Sequence, residues 1–341
     1  MKEIILQNEH SFLKIDLKGG AYSDFHLKEL PLNPISWQSD DPGQSSFKGH
    51  FLCFDRWGPP SKGEQKNGFK HHGEASDLEW QLLKDSSVSN GYIESSMSCV
   101  LPMGRLGITR DIQMALDQPL IKVTEFIQNL NPFSRMYNIV QHVTLAPPFL
   151  DTTTLFDNNS EKGFEDKEDG SLNQESPILH WPEAIHNNTK INFRQFQNEW
   201  PRVSTFAFDN NARYGWVTAS NPGKNLLIGY VWKITDYPWI NFWRSMQNGR
   251  PAAFGIEFGT TGLHEPFPIV AKKAKIFDRN IFDYIDAGEV KEKSFIAFLA
   301  KIPSDYYGVR EIIVNNKELI ISEHKTYNKI KWDIRSSLVK F

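Results

Sequence analysis

The chain has 341 residues, enough for one large β domain or two smaller ones, and enough to bury roughly three quarters of its unfolded surface without disulfide or metal staples. Its 38 Lys and Arg against 41 Asp and Glu leave a net charge of −3 with the basic residues scattered, which excludes a nucleic-acid or anionic-membrane footprint. No apolar run approaches a membrane span, the start MKEIILQNEHSFLKIDLKGG is too polar after residue 6 for a signal peptide, and Cys53 and Cys99 are isolated; the expectation is a soluble, cytoplasmic protein with reduced thiols.

The opening reads as a hairpin: EIILQ, a polar turn at Asn8–His10, then FLKIDL in strict alternation. Gly19-Gly20 follow and allow a backbone that a side chain would forbid. Residues 31–77 are rich in Pro, Gly, Ser and charge and predict long ordered loops carrying FLCFDRWGPP and KHHGEA; such loops in a compact domain are usually functional. From Leu78 to Leu130 come LEWQLLK, YIESSMSCVL, GITRDIQMAL and LIKVTEFIQNL, punctuated by Ser89-Asn90-Gly91, Met103-Gly104 and Asp117–Pro119. Asn138–Leu145 continues the sheet, whereas Asp157–Ser176 is polar and acidic and predicts an exposed, mobile excursion. Strands resume at Tyr214–Ser220, Leu226–Lys233, Ala252–Phe258 and Ser294–Lys301, and REIIVNNKELIIS reads as a closing hairpin about Asn315-Asn316. Short strands with turn signals, no repeat and no strong amphipathic helix predict an all-β fold. The architecture expected is one large antiparallel β-sandwich over residues 1–341, with a C-terminal hairpin extension at about 304–341.

Two stretches carry the chemistry. In NIVQHVTLAPPFLD, Asn138–Asp151, an apolar β-branched run takes His142 inside before two prolines halt it, and alternation puts His142 on a face with Val140 and Thr144. A buried core histidine and a catalytic one both fit. In RPAAFGIEFGTTGLHEP, Arg250–Pro266, Glu257 sits between Ile256 and Phe258; it either faces solvent by alternation or is buried and needs a partner or a raised pKa. His72 follows His71, and neighbours on an extended chain point opposite ways, so this pair is not expected to chelate one metal and His71 is expected to be solvated. Arg56 can fork onto vicinal sugar hydroxyls or pair with Asp55. Aromatics make up 13%, with 10 Trp, and Trp57, Trp232, Trp239 and Trp243 serve as sugar-stacking platforms or as core. There is no phosphate-cradling glycine loop, nucleophile elbow or histidine pair at helical spacing beside a glutamate.

Taken in order, these elements resemble the aldose 1-epimerase (galactose mutarotase-like) superfamily. Gly19-Gly20 match its early strand turn, Arg56 the arginine of a glycine-containing loop, and His72-Gly73 with Trp80 beyond them its His-Gly before a tryptophan strand. Gln141-His142 is similar to the family's Asn-His, Phe254-Gly255-Ile256-Glu257 to the stretch holding its glutamate, and Ala287-Gly288-Glu289 before KSFIAFLAK to its closing turn. The chain departs where Val143-Thr144-Leu145-Ala146 replaces the family's Tyr-Phe-Asn-Leu, and only Asp236 is available for its sugar-binding aspartate, close in sequence to Glu257.

The resemblance implies a sandwich that binds a sugar in one cleft, with His142 and Glu257 at opposite edges, and interconverts its α and β anomers. Glu257 is then the base and His142 the acid, suited by unperturbed pKa values of about 4.3 and 6.5. Arg56, His72, Asp236, Trp57 and Trp243 would hold the sugar, and neither cofactor nor metal is needed. The alternative is a non-catalytic carbohydrate-binding or regulatory protein on the same scaffold. A third reading is a lyase or epimerase acting on polysaccharide-derived sugars, with Tyr22, Tyr237, Tyr306 or Tyr307 as its acid or base. The expected partner is a small-molecule sugar, with no nucleic acid and no membrane; the sequence carries no signal for the oligomeric state.

Overall fold

Ile4 and Leu6, and opposite them Ile15 and Leu13, are fully buried, so the first two segments pair as the antiparallel hairpin that alternation predicts, Glu3–Gln7 with Ser11–Asp16. The computed structural model describes residues 2–334 apart from 42, 43, 45, 168–177, 198 and 327. Among these residues the hairpin opens a ten-stranded antiparallel sheet. Its spatial order is Glu3–Gln7, Ser11–Asp16, Ala21–Leu27, His50–Phe54, Ile139–Leu145, Arg250–Gly259, Trp239–Gln247, Val203–Phe208, Ser160–Glu165 and Leu179–His180. Against its inner face packs an eight-stranded antiparallel sheet ordered Leu155–Asn158, Tyr214–Asn221, Leu226–Lys233, Val290–Lys301, Leu120–Asn129, Leu106–Ala115, Tyr92–Val100 and Gln81–Ser89. The fold is all-β, a large antiparallel sandwich, and among the described residues no helix is long and apolar enough to cross a membrane.

The two layers meet on Phe258. Its ring stacks on Trp232 of the facing sheet at 4.2 Å and 6°, with Phe295 at 5.4 Å and Tyr230 at 5.6 Å. Beside this apolar seam lies a buried polar clamp. Arg110 Nε and Nη2 donate to Glu125 Oε1 at 3.0 and 2.7 Å, and Nη1 donates to the Gly20 carbonyl at 2.7 Å. Glu125 Oε2 accepts from Gln141 Nε2 at 2.7 Å and from the Tyr237 hydroxyl at 3.2 Å. Gly20 is required there: its φ is +62°, and a Cβ would stand 2.6 Å from the Trp80 ring, which itself lies under the Arg110 guanidinium.

The closing hairpin forms as Val309–Val314 with Glu318–Glu323 and gains a third strand, Lys329–Asp333; Ile312, Leu319 and Ile321 cover the outer face of the eight-stranded sheet against Val231 and Phe298. Residues 335–341 of that predicted extension lie outside the described residues. Two expectations are corrected. The start of the acidic stretch is built into the sandwich rather than exposed: Ser160–Glu165 pairs with Val203–Phe208, Phe164 is fully buried, and Asp157 accepts the Val309 amide at 2.7 Å and pairs with Arg194. Its residues from 168 to 176 lie outside the described residues. VSTFAF and WINFWRSMQ are strands that alternation overlooks, because VSTFAF is buried on both faces and so carries no period.

Removing Arg110 would strand Glu125 in the core without a counter-charge. Arg110→Met is expected to cost about 3–5 kcal/mol of unfolding free energy. Urea denaturation reads it, and the double change Arg110→Met/Glu125→Leu is expected to recover most of the loss.

Candidate active site

Strand pairing turns distant residues into neighbours. Phe51 lies opposite His142; Gln141 faces Phe258 and Thr144 faces Gly255; Glu257 lies opposite Asn241, and Asn241 opposite Thr205. Gln141 and Phe258 point into the sandwich, so the next pair, His142 and Glu257, stands side by side on the outer face of the ten-stranded sheet. His142 Nε2 is 3.1 Å from Glu257 Oε1. That outer face is not open. The long loops of residues 31–77 and the turn after Gly259 fold over it, bringing Trp37, Phe47, Trp57, His72 and His264 above the sheet around a cavity of about 280 Å³. Glu257 is left 1% exposed.

Each of the two groups is held from one side and faces the other group across the cavity wall. Glu257 Oε2 accepts from the Trp57 indole Nε1 at 3.0 Å, whereas Oε1 has His142 Nε2 at 3.1 Å but no aligned hydrogen bond among the described residues. A buried carboxyl oxygen in a cavity wall without an aligned donor is a seat for a ligand hydroxyl. His142 has Nδ1 3.0 Å from the Thr144 hydroxyl, and its ring stacks on Phe51 at 4.2 Å and 22°. Thr144 belongs to the segment Val143-Thr144-Leu145-Ala146, so the departure from the family pattern supplies the group that orients the imidazole. Burial pushes the Glu257 carboxyl well above the usual range, opposed by the Trp57 hydrogen bond. Burial, helped by the neighbouring imidazoles of His264 and His71, pushes His142 well below its usual value. Between those limits the pair holds one proton.

No protein-family model and no curated protein sequence matches the chain. Solved structures do. The galactose mutarotase related enzyme from Lactobacillus acidophilus superposes with a TM-score of 0.63 at 11% identity, over 89% of this chain and 98% of its own. A galactose mutarotase-like protein from Clostridium acetobutylicum gives 0.62 at 12% identity over 87% and 95%, and one from Lactobacillus casei 0.60 at 14% over 87% and 100%. The chain has the galactose mutarotase-like fold.

On this mutarotase-like scaffold His142, Glu257, His72, Trp57 and Trp243 all line the one cavity. Two expected sugar ligands do not. Arg56 has Nη1 2.9 Å from Asp55 and Nε 3.0 Å from Glu64, with its guanidinium 3.9 Å over the Phe267 ring, so the fork is spent on local carboxylates. Asp236 lines a separate cleft with Lys293 and Asp283 and accepts the Ser294 amide at 3.2 Å, because its loop turns toward the eight-stranded sheet. None of Tyr22, Tyr237, Tyr306 and Tyr307 lines this cavity.

Sequence reasoning missed Trp37, Phe51, His71, Arg202 and His264 in the lining. His71 is not a solvated loop residue: its ring stacks on His72 at 3.9 Å. The alternation argument fails there because His72 has φ +62° and Gly73 φ +82°, which turns both rings to one side. His71, His72 and His264 offer ligand nitrogens within 4.8 Å of one another.

Trp57→Phe deletes the indole donor and leaves Glu257 Oε2 buried without one. The expected cost is about 1–3 kcal/mol in urea unfolding. In a Glu257→Leu background, where no oxygen needs the indole, the same change is expected to cost much less.

Proposed function

We propose that the chain interconverts the α and β anomers of an aldose, with Glu257 and His142 as the proton-transferring pair. The observation that carries this reading is the 3.1 Å approach of an imidazole to a carboxyl oxygen in the wall of a sugar-sized, aromatic cavity. Mutarotase-related names among the structural neighbours support the same substrate class.

Ring opening breaks the C1–O5 bond. Glu257 takes the proton of the C1 hydroxyl, the freed pair forms the aldehyde C=O bond, and O5 keeps the C1–O5 pair while accepting a proton from His142. Rotation about C1–C2 presents the other face of the aldehyde. Closure then runs with the roles reversed, His142 removing the O5 proton and Glu257 returning one to the new C1 hydroxyl. The raised carboxyl and lowered imidazole seat the pair's proton on Glu257 at rest, so ring opening starts once that proton has moved to His142. The move leaves the net charge of the buried site unchanged, and the two opposite charges it creates lie 3.1 Å apart, where they stabilise one another. Trp57, Trp243 and Phe47 offer aromatic faces for the C–H side of a sugar ring.

NMR exchange spectroscopy with glucose, galactose, uronates and sugar phosphates tests the reading. The wild type is expected to accelerate exchange for one of these classes. Glu257→Gln and His142→Asn are expected to lower that rate by about 10²–10⁴-fold with sugar affinity within a few-fold of wild type. Asp236→Asn, outside the cavity, is expected to leave the rate unchanged. Wild-type rates in Glu257→Gln overturn the assignment, and saturable binding without exchange in the wild type selects a non-catalytic sugar-binding protein.

A further inference from the structure

The acid–base pair leaves three imidazoles of the cavity unused. His71 and His72 come from the loop that returns to the His50–Phe54 strand, and His264 from the turn after the Glu257 strand. Their backbones are fixed. Gly73 makes an isolated parallel bridge with Phe54, so close that a Cβ on it would meet the Phe54 carbonyl at 2.2 Å. The His72 amide donates to the Gly58 carbonyl at 3.2 Å, and the His264 amide to Asp166 Oδ2 at 2.7 Å. Gly58 knits the two loops: at φ +98°, a Cβ there would come within 2.9 Å of the His264 backbone. The rings are therefore presented by interlocked turns, and the left-handed His72 sets two consecutive histidines on one side.

His71 Nε2 and His264 Nε2 are 3.4 Å apart. That is long for a hydrogen bond between two neutral imidazoles. It matches the separation of two ligand nitrogens on one tetrahedral cation: Zn–N bonds of about 2.1 Å at the tetrahedral angle put the nitrogens about 3.4 Å apart. A third ligand nitrogen, from His72, lies within 4.8 Å of both. Burial holds all three imidazoles on the neutral side, the form that ligates, with His264 pushed down to about 3. His72 is the weakest of the three. Its Nδ1 accepts the Gly58 amide at 3.3 Å, so its proton sits on Nε2, and ligation there gives up that hydrogen bond or that proton.

We propose that His71, His72 and His264 form a binding site for a divalent transition cation of the Zn²⁺ type, with three imidazole ligands and a fourth position open to the cavity. All-nitrogen ligation selects Zn²⁺, Co²⁺, Ni²⁺ or Cu²⁺ over Mg²⁺ and Ca²⁺, which require oxygen ligands. Three protein ligands with an open position is the arrangement of a site that takes water or a ligand oxygen, rather than that of a closed structural site. Because the same cavity holds Glu257 and His142, the open position would take an oxygen of whatever molecule those two groups meet, a hydroxyl, carbonyl or carboxylate. The inference does not depend on anomer exchange, since the cation by itself is the probe.

Chelator-treated full-length protein, titrated with Zn²⁺ in a calorimeter and with Co²⁺ by visible absorption, tests it. The wild type is expected to bind one equivalent, with the intense visible bands of tetrahedral Co²⁺. His71→Ala and His264→Ala are each expected to weaken binding by about 100-fold or more, beyond the roughly 10–100-fold effect of changes outside the ligand set, and His72→Ala by less. His186→Ala, whose imidazole pairs with Glu165 away from the cavity, is expected to bind as wild type does. Failure of the folded wild type to bind one saturable equivalent overturns the site irrespective of how the variants fold. So does an equivalent that survives both His71→Ala and His264→Ala, which would leave the three rings as aromatic packing around Trp57.

Discussion

A carboxyl group buried beside an imidazole is the constraint on which the rest of this site depends. Glu257 and His142 sit 3.1 Å apart with almost no solvent access, and the desolvation that raises one and lowers the other leaves the pair with one proton, seated on the carboxyl. Exposed on a strand surface, the same two residues would titrate nearly independently and be screened by water. What buries them is not the sheet, whose outer face they occupy, but the roof of long loops carrying Trp37, Phe47, Trp57 and His72.

The strand Ile139–Leu145 ties this outer site to the interior. Gln141 points inward and donates to Glu125 in the Arg110 clamp; His142, one residue on, points outward to Glu257. A register slip of one residue would exchange the two, putting an imidazole into the buried carboxylate network and an amide beside Glu257. The polar clamp and the Phe258 seam therefore set the register that aligns the pair above them. Gly20 belongs to the same device, since its carbonyl takes the third Arg110 donor and its missing Cβ admits Trp80.

Much of this was legible in the residues, and the failures have identifiable causes. Strands with clean alternation, such as EIILQ and SFLKID, were placed correctly, whereas VSTFAF, buried on both faces, was invisible to the same test. The glutamate in AAFGIEFG stood out because an ionisable group in an apolar strand demands an explanation, and the one found is a roof of aromatic loops. Arg56 and Asp236 misled because their chemistry suits sugars, while their loops aim them at Glu64 and at Ser294. His71 misleads because extended-chain geometry does not hold at its neighbour His72, whose backbone is left-handed.

The sequence by itself determined the strand-rich, all-β character and the side of each strand that a residue takes, since both follow from local periodicity and side-chain shape. Parity alone already put His142 with Thr144, and Glu257 with Gly255 and Gly259. Only the tertiary structure decided that two strands more than a hundred positions apart are adjacent, that their outward faces are roofed, and that three histidines from two loops converge at one edge of the roof. Those outcomes are set by long-range pairing and loop packing, whose energies depend on which surfaces meet and leave no local trace in the order of residues.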